Sequence, residues 1–215
     1  GHYNEPPLRD YPDAAYTNAH WFAIPSRNRW PMVPGIPVTH GEFFYANGWR
    51  PAQLSQIGGE ACFLGQFDTY PARGLIQRMI FEGMRWSNSS HAMMTTIVQS
   101  GHDHYTAWSP VAIFTREWDR CFGAGETVSR TLRVVNTTSK DTPITARWSL
   151  VVEGKTIQEG ERVLKIAPGE RSEPFTVQLM MPTVKKQTLA EIVLTATREQ
   201  KEVFREAKAI SIIDG

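Results

Sequence analysis

The chain has 215 residues, a formal net charge of +1 and 21% charged residues, which is an ordinary composition for a globular protein. A charge so close to neutral, with no run of like charges, argues against a nucleic acid or an anionic membrane as a partner. No stretch approaches the roughly 18 apolar residues that span a bilayer. The length fits two domains of unequal size.

Aromatic residues and histidines are concentrated in the first part of the chain. Residues 1–124 contain six of the seven tryptophans, all six histidines and all six tyrosines. Residues 125–215 contain one tryptophan, Trp148, and are rich in threonine, valine, isoleucine, lysine and glutamate. We therefore predict two domains with these bounds, and we expect the aromatic domain to carry the functional site.

The first part has the order strand, helix, helix, strand. Residues up to about 37 have no clear period and predict ordered loop. The later elements are a short buried strand that ends in polar residues, two helices, a second short strand and a further apolar segment, at residues 36–44, 51–63, 72–83, 84–87 and 91–98. A glutamate and a tryptophan at strand ends are typical of a (β/α)-barrel, whose active groups lie at the carboxyl ends of its strands.

The second part alternates between apolar and polar residues. In residues 127–134, Val128, Leu132 and Val134 share one face, and residues 144–152 alternate in the same way. About seven short strands separated by turn signals predict an Ig-like antiparallel β-sandwich with Trp148 in its core. We expect its charged residues on outward positions, with no catalytic role.

Three segments resemble one family of enzymes. Pro37-Val38-Thr39-His40-Gly41-Glu42-Phe43 resembles the segment on the seventh barrel strand of retaining glycoside hydrolases of the β-galactosidase and β-glucuronidase kind. Residues 78–86 resemble the helix that leads to the eighth strand, and residues 108–138 resemble the passage into the accessory sandwich. The resemblance implies an α/β plus all-β protein: a partial (β/α)-barrel segment followed by an Ig-like antiparallel β-sandwich.

The resemblance implies roles for Glu42 and Trp86, and the chemistry of three further residues makes them candidates for the same site. Glu42 corresponds to the catalytic nucleophile; its alternative role is that of a structural carboxylate. Trp86 and Trp49 are candidate platforms for a sugar ring, with core packing as the alternative. His40 and His91 are candidates to bond sugar hydroxyls, or else interior histidines. The expected substrate is a carbohydrate, and no cofactor is expected.

The barrel that the resemblance implies is incomplete in this sequence. A full barrel needs about 250 residues, and the acid/base glutamate of these enzymes lies on the fourth strand, in sequence that this chain lacks. We therefore expect the rest of the barrel to come from the same precursor or from a partner chain, and the chain alone to be inactive. The alternatives are a non-catalytic carbohydrate-binding protein and a structural or assembly protein. The compartment is not fixed by the sequence; an extracellular or periplasmic location is compatible with it.

The sequence contains three smaller motifs that could have a chemical role. Cys62 and Cys121 are expected to be free, half-buried thiols rather than a disulfide. His102-Asp103-His104 places two imidazoles two residues apart, but no third ligand is evident, so no metal site is expected. Asn136-Thr137-Thr138 matches the acceptor pattern for glycosylation, a match that is common by chance.

Overall fold

The computed structural model describes residues 106–214, the backbone of Thr39–Phe43 and His91–Met94, and four single residues, Arg78, Glu82, Arg85 and Trp86. The chain divides into two compact units, residues 1–107 and 108–215. Within the part that is described, no helix is long and apolar enough to cross a membrane.

The described strands of the first unit form a parallel pair. β1 (Thr39–Phe43) lies inside the strand predicted at 36–44, and β2 (His91–Met94) pairs with it in parallel. The strand predicted at 84–87 is wrong, because Arg85 and Trp86 are helical, as are Arg78 and Glu82. The spacing of these four residues places them on one face of a helix, and short apolar segments do not distinguish helix from strand. The helix predicted at 51–63 lies outside the described residues.

The second unit is a β-sandwich, as predicted. A three-stranded sheet has the order β3-β5-β8, and a five-stranded sheet has the order β4-β10-β9-β6-β7. All pairings are antiparallel except that of β4 with β10. The strands are β3 (Val111–Thr115), β4 (Cys121–Gly123), β5 (Thr127–Asn136), β6 (Ile144–Val152), β7 (Lys155–Leu164), β8 (Phe175–Met180), β9 (Thr188–Arg198) and β10 (Lys201–Ile213).

The core is built from the alternating faces of these strands. Val128, Leu132 and Val134 of β5 are buried, as the alternation predicts. β3 is buried along its whole length and does not alternate. Both β3 and β4 precede residue 125, so the sheets include residues that the sequence assigned to the first domain. The four apolar residues from Val111 to Phe114 carry no period from which their sheet could be inferred.

Trp148 faces the core side of β6 but is half-buried, which corrects the prediction of a buried core tryptophan. Its ring centroid lies 6.0 Å from that of Phe175 in the opposite sheet. Its neighbour across the strands is Gly160 on the edge strand β7, where an added Cβ would lie 2.5 Å from Trp148 Cζ2. The indole therefore occupies the space over a glycine, near the margin of the sandwich, where it is only partly covered.

Several charged side chains point inward, contrary to the expectation that all would face solvent. Arg130 and Glu206 are only 4% and 5% exposed. Glu206 Oε1 lies 2.9 Å from Lys208 Nζ, which in turn lies 4.0 Å from the ring centroid of Trp118. Burial lowers the pKa of Arg130, while the nearby Asp119 carboxylate acts in the opposite direction. Sequence alternation assigns a residue to a face, but it does not show whether a buried charge finds a partner there.

Asn136, at the end of β5, is a structural residue. Its side chain is fully buried, and Nδ2 donates at 2.8 Å to the carbonyl oxygens of Lys140 and Ile166. Oδ1 accepts from the Thr138 hydroxyl at 2.6 Å. The tripeptide 136–138, which matches the glycosylation pattern, is therefore part of a buried hydrogen-bonded turn. In this turn Nδ2 of Asn136 is not accessible to a glycan.

The first prediction concerns the start of the sandwich. Residues 108–215 expressed alone should unfold cooperatively, whereas residues 125–215 should not, because they lack β3 and its buried Ile113 and Phe114. The loss of two such core side chains costs about 3–5 kcal/mol each, comparable with the whole stability of a domain. Urea unfolding followed by circular dichroism measures both fragments. Equal midpoints would instead support the domain bounds predicted from the sequence.

The second prediction concerns Asn136. Asn136→Asp should lower the free energy of unfolding by about 3 kcal/mol, because a carboxylate cannot donate to the two carbonyl oxygens and must be buried against them. Gln187→Glu makes the same chemical change on an exposed side chain and should cost less than about 0.5 kcal/mol. Urea titration of both variants gives the comparison, and equal losses would contradict the structural role of Asn136.

Candidate active site

The pairing of β1 with β2 brings three of the five predicted site residues onto adjacent strands. His40 and Glu42 lie on β1, and His91 is the first residue of β2. His91 is paired with Thr39, next to the pair of His40 with Ala92. Neighbouring strands lie about 4.8 Å apart, so His91 lies close to His40, whereas Glu42 lies further along the pair, opposite Met93.

The register of the pair shifts immediately before Glu42. His40 pairs with Ala92 and Glu42 pairs with Met93, so Gly41 is left out of the register as a bulge. A bulge bends its strand and is frequent beside active sites, where it re-aims the residue that follows. Glycine is suited to such a position because it adopts conformations that other residues avoid. The local backbone at Glu42 is thus irregular at the position where the sequence predicts the nucleophile.

The structure describes one of the two tryptophans that were predicted as platforms for a sugar ring. Trp86 is helical and 9% exposed, so little of its indole surface is open to a ligand within the chain. Such burial favours the alternative of core packing that the sequence left open. Trp49 lies outside the described residues. The sugar-binding role of both residues stays a prediction.

A charged cluster that the sequence analysis missed lies on the helical face that includes Trp86. Arg78 Nε donates to Glu82 Oε1 at 2.9 Å, and Glu82 is only 1% exposed. Arg85 donates through Nη1 to the carbonyl oxygen of Ala107. Burial lowers the pKa of Arg85 to about 10, and the Glu82 carboxylate acts in the opposite direction. The spacing of four residues between Arg78 and Glu82 was the signal that could have revealed the pair.

This cluster bears on the search for a second catalytic carboxyl group. Among the described residues of the first unit, Glu82 has the buried carboxylate. That carboxylate forms an ion pair with Arg78 and stabilises the charge of Arg85. A general acid has to carry a proton and release it to the leaving group. A carboxylate bonded to one guanidinium and close to a second one is unsuited to that task, and we assign Glu82 a structural role.

Of the cysteines and the histidine motif, the described residues include Cys121 alone. In the described residues, no group of three or more histidine, cysteine, aspartate or glutamate side chains could hold a metal ion, and His102-Asp103-His104 lies outside them. Cys121 is a free thiol, as expected, but it is exposed rather than half-buried. Cys62 lies outside the described residues.

Comparison with known proteins gives structural likenesses only. No protein-family model matches the chain, and no curated protein matches it. The solved structures similar to it include a glycosyl hydrolase family 2 member from Bacteroides cellulosilyticus, with 12% identity and a TM-score of 0.34 over 47% of this chain. A β-glucosidase from Listeria innocua matches 50% of the chain with 11% identity and a TM-score of 0.38.

A third similar structure is the CARDB domain of a Pyrococcus furiosus protein in complex with di-metal ions. It matches 49% of this chain and 92% of its own length, with 14% identity and a TM-score of 0.33. The two glycosidases are matched over only 14% and 16% of their lengths. With TM-scores below 0.5, these likenesses do not assign the chain to a family.

The third prediction tests the buried charge cluster. Glu82→Gln should lower the free energy of unfolding by about 3 kcal/mol, because it removes the charge that offsets two buried guanidinium groups. Glu161→Gln removes a carboxylate from an exposed pair with Arg147, at 2.7 Å, and should cost less than about 1 kcal/mol. Urea unfolding monitored by tryptophan fluorescence compares the two variants. A Glu82→Gln protein as stable as Glu161→Gln would show that the cluster adds nothing.

Proposed function

We propose that the chain is the C-terminal portion of a glycoside hydrolase that retains the configuration of its carbohydrate substrate, with Glu42 as the nucleophile. The observation that carries the proposal is the parallel pairing of β1 with β2, with Glu42 next to the last residue of β1. The helical residues between the two strands and the sandwich that follows them support the same arrangement.

The parallel pairing is informative because of what it requires. Two parallel strands must be joined by a crossover connection, which is usually helical, and parallel sheets occur almost only in α/β proteins. In barrels of this class the active groups lie at the carboxyl ends of the strands. Glu42 is in that position on β1, and its segment is the one that resembles the nucleophile strand of retaining glycoside hydrolases.

The proposed reaction has two steps. A carboxylate oxygen of Glu42 attacks the anomeric carbon while the glycosidic C–O bond breaks, and the leaving oxygen takes a proton from a second carboxyl group. That group, now a carboxylate, removes a proton from water, and the water oxygen displaces Glu42 from the anomeric carbon. Two displacements at the same carbon restore the original configuration, and no cofactor takes part.

The proposal requires residues outside this chain. The two carboxyl groups of a retaining enzyme lie about 5–5.5 Å apart, and the second belongs to the part of the barrel supplied by the same precursor or by a partner chain. In the assembled site, His40 is the histidine that binds a sugar hydroxyl, because His91 begins β2 at the amino end of the parallel pair. Trp49 is the tryptophan that borders the sugar subsite in this proposal, because Trp86 is already buried within the chain.

The fourth prediction tests Glu42 as the nucleophile. The 215-residue chain alone should hydrolyse no aryl glycoside. In the complete protein, a 2-fluoro glycoside with an activated leaving group should form a stable ester with Glu42, because the fluorine slows both steps and the good leaving group keeps ester formation fast. Peptide mass mapping locates the ester. A label on another carboxylate would refute the assignment.

A matched pair of variants adds an independent readout. Glu42→Ala in the complete protein should lower kcat by more than about 10³-fold, and added azide should restore turnover by forming a glycosyl azide of inverted configuration. Glu161→Gln, on the outer face of the sandwich, should keep full activity. Unchanged activity of Glu42→Ala would refute the nucleophile assignment, whereas glycan binding by a complete protein that has no hydrolytic activity would favour the carbohydrate-binding alternative.

A further inference from the structure

Arg198, the last residue of β9, has a buried guanidinium that is only partly bonded. It is 5% exposed and lies on the core face, paired with Ile144 of β6. Nη1 donates to the hydroxyl oxygen of Thr138 at 2.7 Å. Nε and Nη2 are buried and have no hydrogen-bond partner among the residues that the structure describes. The Thr138 hydroxyl in turn donates to Oδ1 of Asn136, so this edge of the guanidinium is held by a chain of fixed polar groups.

The two unbonded nitrogens lie on the same edge of the guanidinium plane. Nη1 is the nitrogen on the side of Cδ, so Nε–H and one N–H of Nη2 point in the same direction. This edge forms the two parallel hydrogen bonds by which arginine binds a carboxylate, a phosphate or another oxyanion. Thr138 fixes the opposite side of the group, and the free edge is therefore oriented before any ligand arrives.

In the described part of the chain, no group near Arg198 accepts a hydrogen bond from this edge. The carboxylates of the adjoining loops are Asp141 and Glu199, both exposed, and Glu199 Oε2 lies 3.3 Å from Lys140 Nζ instead. Lys201, the cross-strand neighbour of Arg198, adds another positive charge. A third buried donor without a partner, the Thr142 hydroxyl, lies two residues before Ile144 in the same loop.

Such an arrangement is costly without an acceptor. A buried charged donor that lacks a hydrogen bond loses its hydration without compensation, and folded proteins rarely leave one in that state. A neutral acceptor would satisfy the hydrogen bonds only, whereas an anion would also offset the buried positive charge. The loop formed by residues 137–143 contacts Arg198 through Thr138, and Lys140 ties it to Glu199 by an exposed ion pair.

We propose that the Nε–Nη2 edge of Arg198 binds a small anion that presents two oxygens, either a free oxyanion or a carboxylate group, beside the 137–143 loop. The ligand enters when the exposed loop opens, since exposed ion pairs such as Lys140–Glu199 are weak. The site belongs to the sandwich alone and does not depend on the proposed glycosidase activity.

The experiment titrates the 215-residue chain with phosphate, sulfate and acetate, with chloride holding the ionic strength constant. Thermal unfolding and the NMR signal of Arg198 Nε–H, assigned through its own side chain, should both change saturably. Arg198→Lys keeps the charge but loses the two-pronged edge, and its affinity should fall by about tenfold or more. Arg147→Lys, an exposed arginine on β6, should respond like the wild type.

The responses to the three anions distinguish the possible ligands. A response to phosphate and sulfate alone identifies a free oxyanion, and a response to acetate alone identifies a carboxylate group. If none of the three anions moves the Arg198 signal beyond the effect of chloride, the edge is bonded to buried water and the proposal is overturned. Equal responses of Arg198→Lys and Arg147→Lys would overturn it as well. The NMR signal of the wild type decides the matter if Arg198→Lys does not fold.

Discussion

The two sheets of the sandwich are joined through the guanidinium of Arg130. This residue lies on the core face of β5, in the three-stranded sheet, and its guanidinium carbon lies 4.9 Å from the centroid of the Phe122 ring in the five-stranded sheet. Nη2 donates at 3.0 Å to the carbonyl oxygen of Asp119, in the segment where the chain crosses between the sheets. A buried cation is retained here because its hydrogen bonds and an aromatic face replace water.

The same requirement, that every buried polar group find a partner, shapes both margins of the sandwich. At one end, Asn136 closes the corner by bonding main-chain carbonyl groups. Between the edge strands, Gln158 of β7 accepts from the Met180 amide at 2.9 Å and donates to the carbonyl oxygen of Gln178. The amide thus replaces a strand pairing that the open edge of β8 lacks. Arg198 differs from Asn136 and Gln158, because two of its buried donors lack an acceptor among the described residues.

In the first unit, three of the candidate site residues lie on two paired strands. The register of two strands that are far apart in the sequence places His91 beside His40, and Glu42 follows near the carboxyl end of β1. The buried cluster of Arg78, Glu82 and Arg85 stabilises one helical face of this unit. A single strand-end carboxylate is half of a retaining glycosidase site, and this is why the proposed activity depends on sequence beyond this chain.

The sequence by itself determined the sandwich, because the alternation of β5, β6 and β8 follows from side chains that must face either the core or water. It also marked Glu42 and His40 as neighbours on a strand. Only the tertiary structure decided which distant segments meet. It paired His91 with Thr39, made Arg85 and Trp86 helical, added β3 to the sandwich and buried Arg130 and Arg198. A local pattern records the face of each residue, whereas pairing and the satisfaction of buried charges depend on contacts between residues far apart in the chain.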